Sequence, residues 1–439
     1  MTAPVEFLAL VEPFVNGFTA PGFRHFSHFM LAHATLWGAP HCLTETLRQT
    51  RWHALKHWTT AYVFMRRGRW SCCELAQTLR DLLLARLPFG DEVVLAIDDT
   101  LVKKWGQSFF GLGYYPDSTD KNPGAARRRV RGHCWVVLAL LWEQGPGRWF
   151  CFPLGSLLFV PERLCSRAFP FQTKIELAAA LLGRLRFAQR VILLVDNLYA
   201  KGQLIAAGLR ESDALVSRLR SNAALYEPPP PRRKGQRGRP AKRGAKVPAR
   251  RLWRRRSKRR RLVLRIYGKT VTLQAFVGTV IPSRTLGERP IQVVIFPQRS
   301  GKKMNVFFST DLSLSAERLL ELYAARFKIE DAFDELKTNG GFADCRQRSF
   351  SALKRHATLC LVAYSLLRLL SLTLRNAQGL AAEPWWHPAG PPSVTRVRRA
   401  LNQAFGISCS LHSMAKVKEI PRPKQRTQQS QRNTFAKAA

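Results

Sequence analysis

The sequence predicts an α/β protein whose core is interrupted by a β-rich insertion, with a helical N-terminal domain and a helical C-terminal region. Three observations predict it. Two near-continuous apolar runs, at 93–97 and 191–195, read as buried central strands, and each is followed at once by an acid, Asp98 and Asp196. Segments with helical spacing, at 175–187 and 199–209, alternate with strand-like ones. Between 263 and 296, apolar and polar residues then alternate like the strands of an antiparallel sheet.

Taken in order, residues 1–88 carry apolar positions at helical spacing, with breaks near Pro21, Pro40, Gly68 and Pro88. Within them, 43–84 reads as three short helices. There Arg48, Arg51, Lys56, Arg66, Arg67 and Arg69 are interleaved with Trp52, His53, His57, Trp58 and Tyr62. Basic residues beside aromatics suit a DNA-docking helix-turn-helix, and equally the solvated face of an ordinary helical domain. Residues 89–219 form the first part of the core, with further strands at 133–143, 149–153 and 214–219. The insertion, 220–303, opens with four prolines at 228–231. It then places 17 Lys or Arg in 232–261 with no acid, ahead of strands at 263–267, 270–280 and 291–296. The core resumes over 304–375 with a strand at 305–310, a long helix at 315–337 and a packed helix at 351–374. Residues 376–439 complete the chain, and the polar, basic stretch from 419 reads as a disordered tail.

Composition points to the partner. The 439 residues, 46% of them hydrophobic and 10% aromatic, make a globular chain of roughly two to three domains. Seventy-one Lys and Arg against 29 Asp and Glu leave a net charge of +42. Removing the 17 charges of the basic stretch still leaves +25, so the excess is global. Such a field captures polyanions, and phosphate neutralisation with counterion release makes nucleic acid the leading partner. A membrane is the poorer partner. The run at 134–142 is only nine residues, and 357–372 is interrupted by Arg368 and reads as a buried helix. Residues 1–18 carry Glu6 and Glu12 and lack a basic leader, making a poor signal peptide. A cytoplasmic, nucleoid-associated protein without a small-molecule substrate is therefore expected. Nine cysteines include no C-x-x-C pair, which argues against a zinc or redox motif and for reduced thiols. His25, His28 and His33 lack neighbouring ligands at metal spacing and read as structural.

The chemistry is carried by acids. Open α/β sheets place their ligands at strand C-termini, where Asp98 or its neighbour Asp99 and Asp196 stand. On the helix at 315–337, Tyr323, Arg326, Glu330 and Lys337 fall within an arc of about 60° at 100° per residue. Tyr, Arg, Glu and Lys make an odd core stripe but a plausible grip on phosphate around one carboxylate.

These residues carry a resemblance. The spacing Y-x2-R-x3-E-x6-K in YAARFKIEDAFDELK resembles the signature helix of bacterial insertion-sequence transposases of the DDE class. LAIDDT and LLVDNLY resemble the strands bearing that family's first and second aspartates. The likeness runs in order from about 93 to 370, β-rich insertion included. It implies a ribonuclease-H-like core and two Mg2+ or Mn2+ ions held by Asp98, Asp196 and Glu330. It also implies contacts from Tyr323, Arg326 and Lys337 to transposon-end phosphates. The D-x-T pattern selects Asp98, while a gapless match on LAI selects Asp99. Adjacent strand residues face opposite ways, so only one should reach the metals. The implied activity is DNA transposition, namely hydrolysis and strand transfer at terminal inverted repeats and target DNA by a homodimer. A DNA-binding regulator or stand-alone nuclease on the same fold is the alternative.

Two further basic segments join the candidate DNA contacts. Arg237-Gly238-Arg239-Pro240 matches the core of a minor-groove hook, and a flexible arm without sequence preference is the plainer reading. Lys103, Lys104, Arg127, Arg128, Arg129 and Arg131 follow the first aspartates. They line a DNA channel or simply form a charged loop.

Overall fold

The computed structural model describes residues 3–405 apart from 37, 53–55, 107, 117–128, 168, 232–238, 283–285, 299–300, 302 and 374–390. Its centre is the first apolar run. Strand β1 (Glu92–Lys103) buries Val93, Leu95, Ala96 and Ile97 completely between antiparallel β3 (Arg129–Gly145) and parallel β5 (Arg190–Val195). A side chain the size of Ile97 contributes about 1.5–3 kcal/mol when fully buried. β4 (Arg148–Phe159) returns along β3, and β6 (Ala214–Leu219) runs parallel to β5. The order β4-β3-β1-β5-β6 is thus an antiparallel meander continued by two parallel strands, a ribonuclease-H-like core. Helix α6 (Lys174–Arg184) opens with a reciprocal capping box between Thr173 and Glu176, and α7 (Gly202–Gly208) links β5 to β6.

The insertion strands extend this same sheet. β11 (Met304–Ser309) pairs antiparallel with β6, followed by β10 (Ile291–Pro297) and β9 (Lys269–Pro282). β7 (Leu225–Tyr226) and β8 (Arg259–Ile266) both pair with β9, and β2 (Gly113–Pro116) edges β3. Short helix α8 (Ala249–Trp253) packs against this extension.

Helices α1 (Ala3–Val11), α2 (Ala20–Thr35), α3 (Leu43–Gln49), α4 (Thr59–Arg67) and α5 (Cys72–Arg86) fill the N-terminal region. Thr19 and Ser71 cap α2 and α5 with their hydroxyls. These helices share one continuous core with α11 (Phe350–Thr373) and α12 (Val394–Ala404). α11 is apolar and long enough to cross a membrane, yet it lies buried against β4, α1, α2, α4, α5 and α12. The tail from 419 lies outside the described residues.

Two boundaries differ from expectation. β1 does not stop at Asp98 but runs on to Lys103, because β3 keeps pairing with it after β5 has ended at the Ile97–Val195 pair. The helix expected at 315–337 is two helices, α9 (Ala316–Ala325) and α10 (Lys328–Thr338). At Arg326 and Phe327 the bonding tightens to i→i−3, with Ile329 N–H on the Arg326 carbonyl and Glu330 N–H on the Phe327 carbonyl.

Candidate active site

The pleat turns Asp98 and Asp99 to opposite faces of β1, and their surroundings differ accordingly. Asp99 is fully engaged. It accepts from Lys174 Nζ at 2.6 Å, from the Tyr199 hydroxyl at 3.0 Å and from the Cys134 thiol at 3.2 Å. Asp98 faces the junction of α9 and α10. Its Oδ1 accepts the Asp99 N–H at 2.8 Å, and its Oδ2 takes Arg326 Nη1 at 2.8 Å across 228 positions of sequence.

Arg326 is the hub. Its Nη2 donates to Glu330 Oε1 at 2.8 Å, so one guanidinium bridges the first aspartate and the glutamate. Arg326 is 5% exposed, its guanidinium carbon lies 4.4 Å from the centre of the Phe327 ring, and its Nε is buried without a hydrogen-bond partner among the described residues. Burial opposes its charge, but Asp98, Tyr323 and Glu330 outweigh that and hold it above the ordinary arginine value. The helix break makes this geometry. The tight turn sets Arg326 at the end of α9 and Glu330 in the first turn of α10, where a carboxylate also suits the helix dipole.

Asp196 follows β5 directly. Its Oδ1 accepts the N–H groups of Leu198 (2.8 Å) and Tyr199 (3.2 Å), a local turn that delays α7 to Gly202. Its Oδ2 has no hydrogen-bond partner among the described residues. Burial pushes the Asp98 carboxyl up to about 7, with Arg326 opposing and Asp196 and Asp99 adding to the rise. Asp196 is therefore near enough for its charge to be felt at Asp98.

The remaining predicted contacts separate. Tyr323 is 9% exposed, packs edge-on against Phe307 at 4.8 Å and adjoins Arg326. Lys337, about 10 Å along α10 from Glu330, pairs with Asp334 at 3.5 Å. Lys103 is exposed at the end of β1. Lys104 is a correction. Its ammonium turns inward, donating to the carbonyls of Ala343 (2.7 Å) and Cys345 (2.8 Å), and is not presented to DNA. Arg239 is exposed, whereas Arg237, Arg127 and Arg128 lie outside the described residues. The histidines pack structurally, with His25 and His28 against Trp52 at 4.4 and 4.5 Å and His33 stacked on His41 at 5.0 Å.

Sequence reasoning missed several neighbours. Lys174 and Tyr199 fix Asp99 from α6 and from the turn after Asp196. Tyr267 sits at the tip of the β8–β9 hairpin, at φ 52°, and donates to the Ala324 carbonyl beside the helix break. Only the tertiary fold gathers them, although LLVDNLY does place a tyrosine three residues after Asp196.

Among the described residues no group of three His, Cys, Asp or Glu side chains stands ready around a single metal position. What the acids share is a cation, Arg326, held between two of them.

Two family models match the chain. One, described as DDE superfamily endonuclease, covers residues 13–267, which include Asp98, Asp99 and Asp196. The other, described as Transposase DDE domain, covers residues 172–366, which include Asp196 and Glu330. No curated protein matches. Among solved structures, a chain of the cryo-electron-microscopy piggyBac transposase synaptic complex with hairpin DNA is similar over 99% of this chain and 84% of that one. Identity is 11% and the TM-score 0.39, a likeness too loose to bear on the site.

Proposed function

Since the chain belongs to the DDE superfamily of endonucleases, whose model covers residues 13–267, we propose that it is an insertion-sequence transposase cutting and joining DNA at Asp98, Asp196 and Glu330. The transposase DDE domain over residues 172–366 supports the DNA substrate and the strand-transfer step. One observation carries the reading: Asp98 and Glu330, far apart in sequence, bind the two terminal nitrogens of one arginine at 2.8 Å each.

Membership of this family implies a divalent metal, and we take it to be two Mg2+ or Mn2+ ions. The donor set fits, because carboxylate oxygens are hard ligands and the acids already hold a cation between them. When bound, such ions activate an attacking oxygen and offset charge on the leaving one. The chain's own residues do the rest. Arg326 keeps Asp98 and Glu330 compensated until it yields, and its planar fork then suits bidentate contact with a phosphate oxygen pair. The N–H groups of Leu198 and Tyr199 fix one oxygen of Asp196, which keeps the other available. On the far face, Lys174 and Tyr199 hold Asp99 and so set the register of Asp98.

On this reading water first cuts at the element's end, freeing a 3′-hydroxyl that then attacks a target phosphodiester. End recognition falls to the N-terminal helices (1–88) and the basic insertion (220–303), and a homodimer pairs two ends. The test is purified protein with Mg2+ and the DNA flanking its gene, scored for end-specific nicking and strand transfer. Nicking at the element's ends that Glu330→Gln abolishes supports the reading. Nicking of equal rate in that variant overturns it, and nicking without strand transfer reduces the protein to a nuclease.

A further inference from the structure

The sheet edge that carries the carboxylates continues into the insertion. Asp196 and Arg218 each stand two residues past the Leu194–Val216 pair of β5 and β6. Arg218 lies opposite Phe307, the ring on which Tyr323 packs, and Tyr323 feels both Arg218 and Asp196. Arg218 and Arg220 are exposed, and neither has an ion-pair partner among the described residues.

Just beyond them is a cavity of about 300 Å3, between the turn after β6, the segment entering α8 and the start of β11. Its lining includes Lys246, Arg250, Lys303, Ser221 and Asn222, and no acid among the described residues. None of the three cations has an ion-pair partner among the described residues, whereas nearby Lys242 pairs with Glu288 at 2.9 Å and Arg255 pairs with Glu227. The stretch that bears Lys246 and Arg250 is fixed. Gly244 N–H bonds the Glu227 carbonyl, Val247 N–H bonds the Leu225 carbonyl, and Val247, Ala249 and Leu252 are buried. Three like charges around one cavity repel one another, a local cost that a bound anion removes.

We propose that this cavity seats a backbone phosphodiester of the DNA strand being processed at the carboxylates, with Arg218 and Arg220 as the track between the two. The inference rests on the proposed function and deepens it. Ser221 follows Arg220 directly, in the turn after β6, so the track leads into the cavity. Cations with hydroxyl and amide donors bind phosphate and carry no base code, so the seat sets position and not sequence.

The test uses the full-length protein and a duplex from the DNA flanking its gene, with the phosphates of one strand replaced singly by neutral methylphosphonate. Fluorescence anisotropy gives affinity for wild type and for K246A/R250A/K303A, whose exposed side chains leave the core untouched; a melting curve checks folding. One or two adjacent replacements on one side of the cut should weaken wild type roughly tenfold and the triple variant less than twofold. The slope of log K against log salt should be shallower in the variant by about 1–2, and K246R/K303R should retain the wild-type slope. Identical interference profiles and identical slopes in wild type and triple variant would overturn the proposal. Binding is read without cleavage, so failure here leaves the catalytic reading standing, and an inactive site leaves this result decisive.

Discussion

Asp98 and Asp99 are adjacent, chemically identical and placed in opposite circumstances. On the α6 side, Asp99 is closed in by an ammonium, a phenol and a thiol. On the α9–α10 side, Asp98 shares one arginine with Glu330, and its carboxyl is pushed up to about 7 mainly by burial. The difference teaches how a strand divides labour. A carboxylate with three donors is finished and anchors the fold. One with a borrowed counter-charge is unfinished and can exchange it.

The largest effect expected of that contrast is on catalysis. Asp196→Asn or Glu330→Gln should lower end cleavage by about 10³-fold or more while end-binding affinity stays within about threefold. Cleavage at the wild-type rate in either would break the contrast. Asp99→Asn should do the reverse, because it strands Lys174 in a half-buried pocket. The melting temperature should fall by about 1–2 °C, for a loss of roughly 1–2 kcal/mol, with residual cleavage well above that of Asp98→Asn.

The pH dependence sharpens the same point. Asp98 titrates higher in the folded chain, at about 7, than the ordinary 3.8, so the folded state binds its proton more tightly. Without metal, the contribution of Asp98 to stability is therefore largest below pH 3.8 and is lost as pH rises to about 7. Melting curves in chelator between pH 5 and 8 should show this decline, and Asp98→Asn should remove that part of it. The smallest expected effect belongs to Lys337. Lys337→Ala should weaken end binding and make the log K–log salt slope shallower by about 1, because one phosphate contact is lost. An unchanged slope would leave Lys337 as the partner of Asp334 alone.

Much of the core was legible because strands buried on both faces print continuous apolar runs, as 93–97 and 191–195 do. The continuation of β1 past Asp98 was not, since Asp-Asp-Thr interrupts the apolar run and only pairing with β3 sustains it. Periodicity likewise drew one helix through 315–337. The break at Arg326 coincides with ion pairs to Asp98 and Glu330, and the first of these is invisible to a local window. Lys104 read as a surface cation because the carbonyls that receive it lie some 240 positions away, at Ala343 and Cys345. The opposition of Asp98 and Asp99 was readable from the pleat, but which of them met Arg326 was a question for the fold.

The most direct measurement is a calorimetric titration of Mn2+ into the DNA-free protein and its Asp98→Asn, Asp99→Asn and Glu330→Gln variants. Convergence of Asp98 and Glu330 on one cation position predicts at least tenfold weaker binding in those two variants, with Asp99→Asn near wild type. Wild-type affinity in both Asp98→Asn and Glu330→Gln would contradict it.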